Sequence, residues 1–198
     1  MRGQRLVHTA GFTLVELLAS VTILAIALLL GMPALENTIQ RGKIESLTRQ
    51  TSMLMYQARL AAIRYTVPTT VRVDFASDRI VAFRDPNRNG VQDDPMSEPT
   101  IGGEHGFPLP SGVAFQAPGE APEAANAVVD FDENSGGGWV TFQSDGSVVK
   151  AGGLRFADRL ENFLEIRISP PATARISLRK WNGLAWREQG DGGAWVWK

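Results

Sequence analysis

The chain has 198 residues, of which 43% are hydrophobic and 21% charged, and its formal net charge is −1. That length allows one domain of ordinary size plus an appendage, and the near-average composition excludes a disordered or polytopic chain. With no cysteine, disulfides, thiolate catalysis and thiol-ligated zinc are excluded, and with only two histidines, His8 and His105, most hydrolytic and zinc mechanisms fail too. A charge near zero gives no bulk attraction to nucleic acid or anionic lipid.

The averages conceal an asymmetry. Residues 17–35 read L-L-A-S-V-T-I-L-A-I-A-L-L-L-G-M-P-A-L, without a charge. At about 1.5 Å per residue, such a helix spans a hydrocarbon core of roughly 30 Å. Arg2 and Arg5 precede it and favour an N-terminus kept in the cytoplasm. The alternative is a secretory signal peptide, but its apolar region is typically only about 7–15 residues long. No A-x-A-like site follows the run here.

Ahead of the span lies M-R-G-Q-R-L-V-H-T-A-G-F-T-L-V-E-L-L: a short basic leader ending at Gly11, an apolar stretch opening at Phe12, and a lone carboxylate, Glu16. A carboxylate in an apolar span is costly and generally has a functional partner. A cut between Gly11 and Phe12 would put the new amine one helical turn from Glu16. A like subunit displaced along the helix axis would then offer its amine to this carboxylate. The alternative is that Glu16 sits at headgroup level.

G-F-T-L-V-E-L resembles the class III signal of type IV pilins and of the pseudopilins of type II secretion. The resemblance implies that a prepilin peptidase cuts after Gly11, that Phe12 becomes N-methylated, and that Glu16 serves filament assembly. Pro33 matches the helix-disrupting proline such proteins often carry, and a kink or local melting is expected there.

Beyond Pro33 the pattern is amphipathic. Ile44, Leu47, Thr51, Leu54, Ala58, Ala61 and Tyr65 recur in steps of three and four, predicting one buried stripe along a helix ending near Tyr65. A coiled coil has similar spacing, but Ala and Thr are weak knobs and better suit a helix lying under a sheet. Pro68 ends the helix. Residues 69–75 alternate, with Val71, Val73 and Phe75 on one face, and 80–84 return as the partner strand. Residues 85–138 are loop-rich, with an Ala/Pro/Glu tract at 117–127. Strand is expected at 139–142, continuing at 147–149 beyond a turn at Ser144-Asp145-Gly146. Residues 163–169 and 174–181 predict a hairpin across Pro170-Pro171, and the tail from Asn182 is rich in Gly and Trp.

The expected class is therefore α+β: a long N-terminal helix, half transmembrane and half amphipathic, packed on a small antiparallel sheet domain. The segments at 57–71, 79–90 and 139–148 are similar, in that order, to the helix exit, second strand and later strand-turn of the GspH/FimT group. The resemblance implies a leader at 1–11, a transmembrane assembly helix at 12–35, an amphipathic helix at 36–66 and a periplasmic β-rich domain at 67–198. It implies a minor pseudopilin or minor pilin of the inner membrane, structural rather than enzymatic and needing no cofactor. Its partners would be the prepilin peptidase, other major and minor pilins or pseudopilins, and the inner-membrane assembly platform.

Two further sites arise from the residues. Asp85, Asn87, Asn89 and Asp93 place oxygen side chains at alternating positions around Gly90, like the first half of a calcium loop, but Met96 stands where a bidentate Glu belongs. The alternative is a polar turn, since Asp, Asn and Gly favour turns without metal. Arg175, Arg179, Lys180 and Arg187 interleave with Trp181, Trp186, Trp195 and Trp197 and could grip DNA by phosphate contact and stacking, as in DNA-uptake pilins of the FimT type. The alternative is that the tryptophans pack the sheet and the charges form a wet face.

Overall fold

The computed structural model describes residues 12–103, 106–120, 128–131 and 138–190. One helix, α1 (Leu14–Tyr65), precedes nine strands: β1 (Thr69–Asp74), β2 (Arg79–Arg84), β3 (Phe107–Pro108), β4 (Val113–Phe115), β5 (Trp139–Phe142), β6 (Gly152–Asp158), β7 (Phe163–Ile168), β8 (Ile176–Trp181) and β9 (Trp186–Glu188). The chain divides into two compact units at Ile39/Gln40.

In the first unit, α1 begins with a cap. The Thr13 side-chain oxygen accepts the Glu16 backbone N–H at 3.2 Å, and Glu16 lies at the third helical position, as in a capping box. The helix continues through Pro33, so the local melting expected there does not occur. A proline deletes one backbone hydrogen bond of the ladder, and in a 52-residue helix the turns on either side carry on past that single loss.

In the second unit the predicted stripe is buried. Ile44, Leu47, Thr51, Leu54, Ala58 and Ala61 all lie inside, together with Thr48, Met55 and Ala62. Thr48, Thr51 and Ser52 satisfy their hydroxyls on carbonyls one turn back, which lets polar residues sit in the buried face. Tyr65 departs from expectation: it is 47% exposed, because the helix ends there. Thr66 follows in the left-handed region (φ 56°) and Pro68 cannot extend the helix.

All strand pairs are antiparallel, but they form two sheets, β3-β2-β1-β5 and β4-β6-β7-β8-β9, where the sequence suggested one. One core joins them under α1: Val71, Val73, Ile80, Ala82, Val140 and Phe142 from the first, and Leu154, Phe156, Leu164, Ile166, Ile168 and Ile176 from the second. Fully burying each such aliphatic side chain stabilises by about 1.5–3 kcal/mol, so this shared core is what binds helix and sheets together. Phe75 lies just past β1, half-exposed, edge-to-face on Phe115 at 5.5 Å. The 163–169/174–181 hairpin is present as β7–β8. The continuation at 147–149 reduces to one bridge, Phe142 to Val148.

The strand β6 was not foreseen. Every one of its seven residues is buried, because one face meets the core and the other meets a layer of charge, so no polar alternation marks it. Its Gly153 has a physical cause: a Cβ there would lie 2.4 Å from Glu165 Oε1.

Candidate functional site

The N-terminal site is the first. Phe12 is 73% exposed and Gly11 lies outside the described residues, as does the whole leader at 1–11. The Glu16 backbone is used by the cap, while its carboxylate has no partner among the described residues. Behind it the apolar side chains from Leu14 to Leu35 that are described stand open, and the most apolar window is 0% buried. Ser20 and Thr22 return their hydroxyls to the carbonyls of Glu16 and Leu18, so the helix leaves those polar groups satisfied without water. This is a helix long and apolar enough to cross a membrane, by length and composition.

The second site is the 85–98 loop. Asp85 is fully buried, and its carboxylate accepts from Thr70 Oγ1 (2.7 Å), Asn89 N (3.1 Å) and Gly90 N (2.9 Å). Asn87 and Asn89 turn their amide nitrogens, not their oxygens, to Asp93 Oδ2, each at 2.8 Å. The four residues are thus neighbours, but their oxygens do not converge. Among the described residues no group of three or more His, Cys, Asp or Glu is gathered that could hold a metal. The loop instead closes on the sheet: Arg72 donates to Gly90 O at 2.6 Å and lies 5.9 Å from the Trp139 ring. Further along, Asp94 is held below the usual carboxylate range by the Met96 backbone N–H and by Ser97. Asp74 and Asp145 are lowered likewise, chiefly by the hydroxyls of Ser77 and Ser147.

The third is the basic cluster, which the structure disperses. Register puts Arg179 opposite Glu188 and Lys180 opposite Arg187, so the last two strands present alternate residues to opposite faces. Lys180 is buried and donates to Glu45 Oε1 of α1 at 3.0 Å. Arg175 pairs with Glu188, and Arg179 lies 3.6 Å from Glu165 and 3.9 Å from Glu188. Only Arg187, of the four, has no carboxylate partner among the described residues. Trp181 is buried and packs at 5.4 Å on Trp186, with Ala157 and Phe163 beside them; Trp195 and Trp197 lie outside the described residues.

Sequence reasoning missed the centre of that face. Arg155 and Glu165, each with a side chain 1% exposed, pair at 2.6 Å across β6 and β7, and Asp130 bridges Arg155 (3.3 Å) to Arg167 (3.1 Å). Their register-opposed places on adjacent strands were the signal, and it was legible only once β6 was known.

Residues 8–32 match the family described as the prokaryotic N-terminal methylation motif. The chain thus carries that methylation motif at its N-terminus, and its fold is one long helix on antiparallel sheets. Among solved structures it is similar to the minor pseudopilin EpsH from the type 2 secretion system of Vibrio cholerae, at 14% identity and a TM-score of 0.44, over 68% of this chain and 95% of that one. No protein of curated function matches it.

Proposed function

We propose that the chain is a minor pseudopilin or minor pilin of the GspH/FimT type, a structural subunit near the tip of a periplasm-spanning filament in type II secretion or type IV pilus assembly. The prepilin peptidase cuts after Gly11 and Phe12 is methylated. The span that follows holds the subunit in the inner membrane, with the β-rich domain in the periplasm, until the assembly platform passes it to its neighbours. The observation that carries this reading is the methylation motif running into an apolar span whose one carboxylate, Glu16, has no partner among the described residues. A buried lone charge costs several kcal/mol unless an opposite charge is supplied, and a neighbour's N-terminal amine is such a charge.

The second reading, capture of DNA by the β-rich domain, loses support from the pairing of Arg175, Arg179 and Lys180 with carboxylates. A guanidinium already neutralised within its own chain releases few counterions on meeting a phosphate.

Mass measurement of protein from its native membrane tests the proposal. Loss of residues 1–11 removes Arg2 and Arg5 and takes the net charge from −1 to −1 − 2 = −3. Glu16→Ala is expected to be cut and inserted normally but to fail to crosslink with partner pilins. A chain still beginning at Met1 in a peptidase-competent host, or wild-type crosslinking in the variant, refutes it.

A further inference from the structure

Where α1 ends, a groove of about 360 Å³ opens against β2. Its walls include Leu60, Ala61, Arg64, Tyr65, Arg84 and Ile101. The Arg84 guanidinium lies 4.4 Å from the centre of the Tyr65 ring and that of Arg64 lies 5.5 Å from it, so the tyrosine carries two cations. Neither arginine has a carboxylate partner among the described residues, unlike Arg155, Arg167 and Arg179 of the second sheet. Leu60 is 65% exposed in the same wall. The groove is therefore an apolar hole whose rim carries two positive charges that no described carboxylate answers, the complement of an apolar side chain flanked by carboxylates.

The chain presents such a group. Met96 is 91% exposed at the apex of a turn, with the exposed acids Asp93 and Asp94 before it. The turn is fixed by Glu98 N to Asp94 O (2.7 Å), Met96 N to Asp94 Oδ1 (3.0 Å) and Asp93 N to Glu98 Oε2 (2.7 Å), so the methionine is held out in advance of any contact. A thioether suits an irregular hole with an aromatic wall. Knob and hole are also neighbours on the surface: just after Met96, Arg84 N bonds Pro99 O and Ile101 N bonds Ala82 O. Adjacent complementary features on one surface are what a two-fold contact requires, since each knob then enters the other copy's hole.

We propose that this surface joins two copies of the chain, with Met96 of each seated between Arg64, Tyr65 and Arg84 of the other and Asp93 and Asp94 facing those guanidiniums. The contact is separate from the apolar helix and from Glu16.

The absence of cysteine from the chain makes the test clean. Two differently tagged full-length copies, one Leu60→Cys and one Met96→Cys, are coexpressed in membranes and oxidised. The expected result is a disulfide between the two tags. Arg64→Glu with Arg84→Glu in the Leu60→Cys copy should lower its yield at least about tenfold, because like charges placed together at an interface cost several kcal/mol. Adding Asp93→Lys and Asp94→Lys to the Met96→Cys copy should restore it, which a merely unfolded variant cannot do. No crosslink, a crosslink indifferent to the reversal, or no recovery on the swap overturns the dimer. Binding of a single-stranded oligonucleotide to the purified full chain, lost on Arg64→Glu with Arg84→Glu, would give the groove to nucleic acid and overturn it too. A chain that keeps residues 1–11 yet crosslinks would remove the assembly reading and leave the dimer standing.

Discussion

The buried ion pair of the second sheet offers the sharpest test of how this domain is held together. Arg155 and Glu165 are both about 1% exposed and 2.6 Å apart, and Arg155 keeps a second, longer contact of 3.3 Å to the partly exposed Asp130. Removing one partner of a buried pair strands the other charge, at a cost of about 3–5 kcal/mol. Glu165→Leu leaves Arg155 with Asp130, which places that variant near the lower end, at roughly 3 kcal/mol. Arg155→Met leaves Glu165 with Arg167 at 3.6 Å and Arg179 at 3.6 Å, both longer contacts, so a similar loss is expected. The double variant removes both charges and fills the space with carbon. It should return to within about 1 kcal/mol of the wild type, since apolar replacement of a buried pair is often neutral or stabilising. Urea unfolding of a chain beginning near Glu36 reads all four corners of the cycle, and melting should shift by about 2–4 °C per kcal/mol for a domain of this size. Single variants within 1 kcal/mol of wild type, or a double variant as unstable as the sum of the singles, would refute the argument.

Gly90→Ala puts a Cβ 2.4 Å from the Trp139 indole at φ +69°, and is expected to destabilise by about 2–4 kcal/mol from left-handed strain plus overpacking, read as a lower urea midpoint. Millimolar calcium is expected to leave the melting temperature unchanged, because Asp85 already accepts three hydrogen bonds and the Asn87 and Asn89 oxygens do not face Asp93; a rise of several degrees that Asp93→Ala abolishes would establish the metal site instead. Asp74, Asp94 and Asp145 have folded pKa values below their ordinary 3.8, so the stability they contribute is present above that pH and is lost as pH falls through and below it. Asp145→Asn should therefore narrow the difference in urea midpoint between pH 6 and pH 3, and an unchanged difference counts against the Ser147 contact.

Much of the fold was legible because two signals are local. A charge-free run of 19 residues and a three-four stripe need no knowledge of partners, and both lie in α1. The strands β1, β2, β5, β7 and β8 were legible from alternation and from the turns between them. What escaped depends on contacts distant in sequence. β6 hides its strand character behind Gly152 and Gly153, which are glycine because Phe131 and Glu165 crowd them. β3, β4 and β9 are edge strands of two or three residues, too short to show a period. Without β6 nothing joins β4 to the β7–β8 hairpin, and so the split into two sheets could not be read.

The candidate sites divide along the same line. Composition can show that Asp85, Arg179 or Lys180 is polar, but not that each is answered inside its own chain, by Thr70 and two backbone amides, by Glu165 and Glu188, and by Glu45. A cation so paired with a carboxylate, or a carboxylate so buried, has little left for an outside partner. Groups left unanswered, among the described residues, include the Glu16 carboxylate and the Arg64 and Arg84 guanidiniums on Tyr65. Each stands beside exposed apolar surface, Leu14 and Val15 in one place and Leu60 in the other. Burying that surface against another subunit would raise the strength of the unpaired charge by excluding water from it, and the charge in turn would fix register where apolar contact alone does not. An open apolar face beside an unanswered charge is what the two proposed contacts, at Glu16 and at the Tyr65 groove, have in common, and Arg175, Arg179 and Lys180, each paired with a carboxylate, lack it.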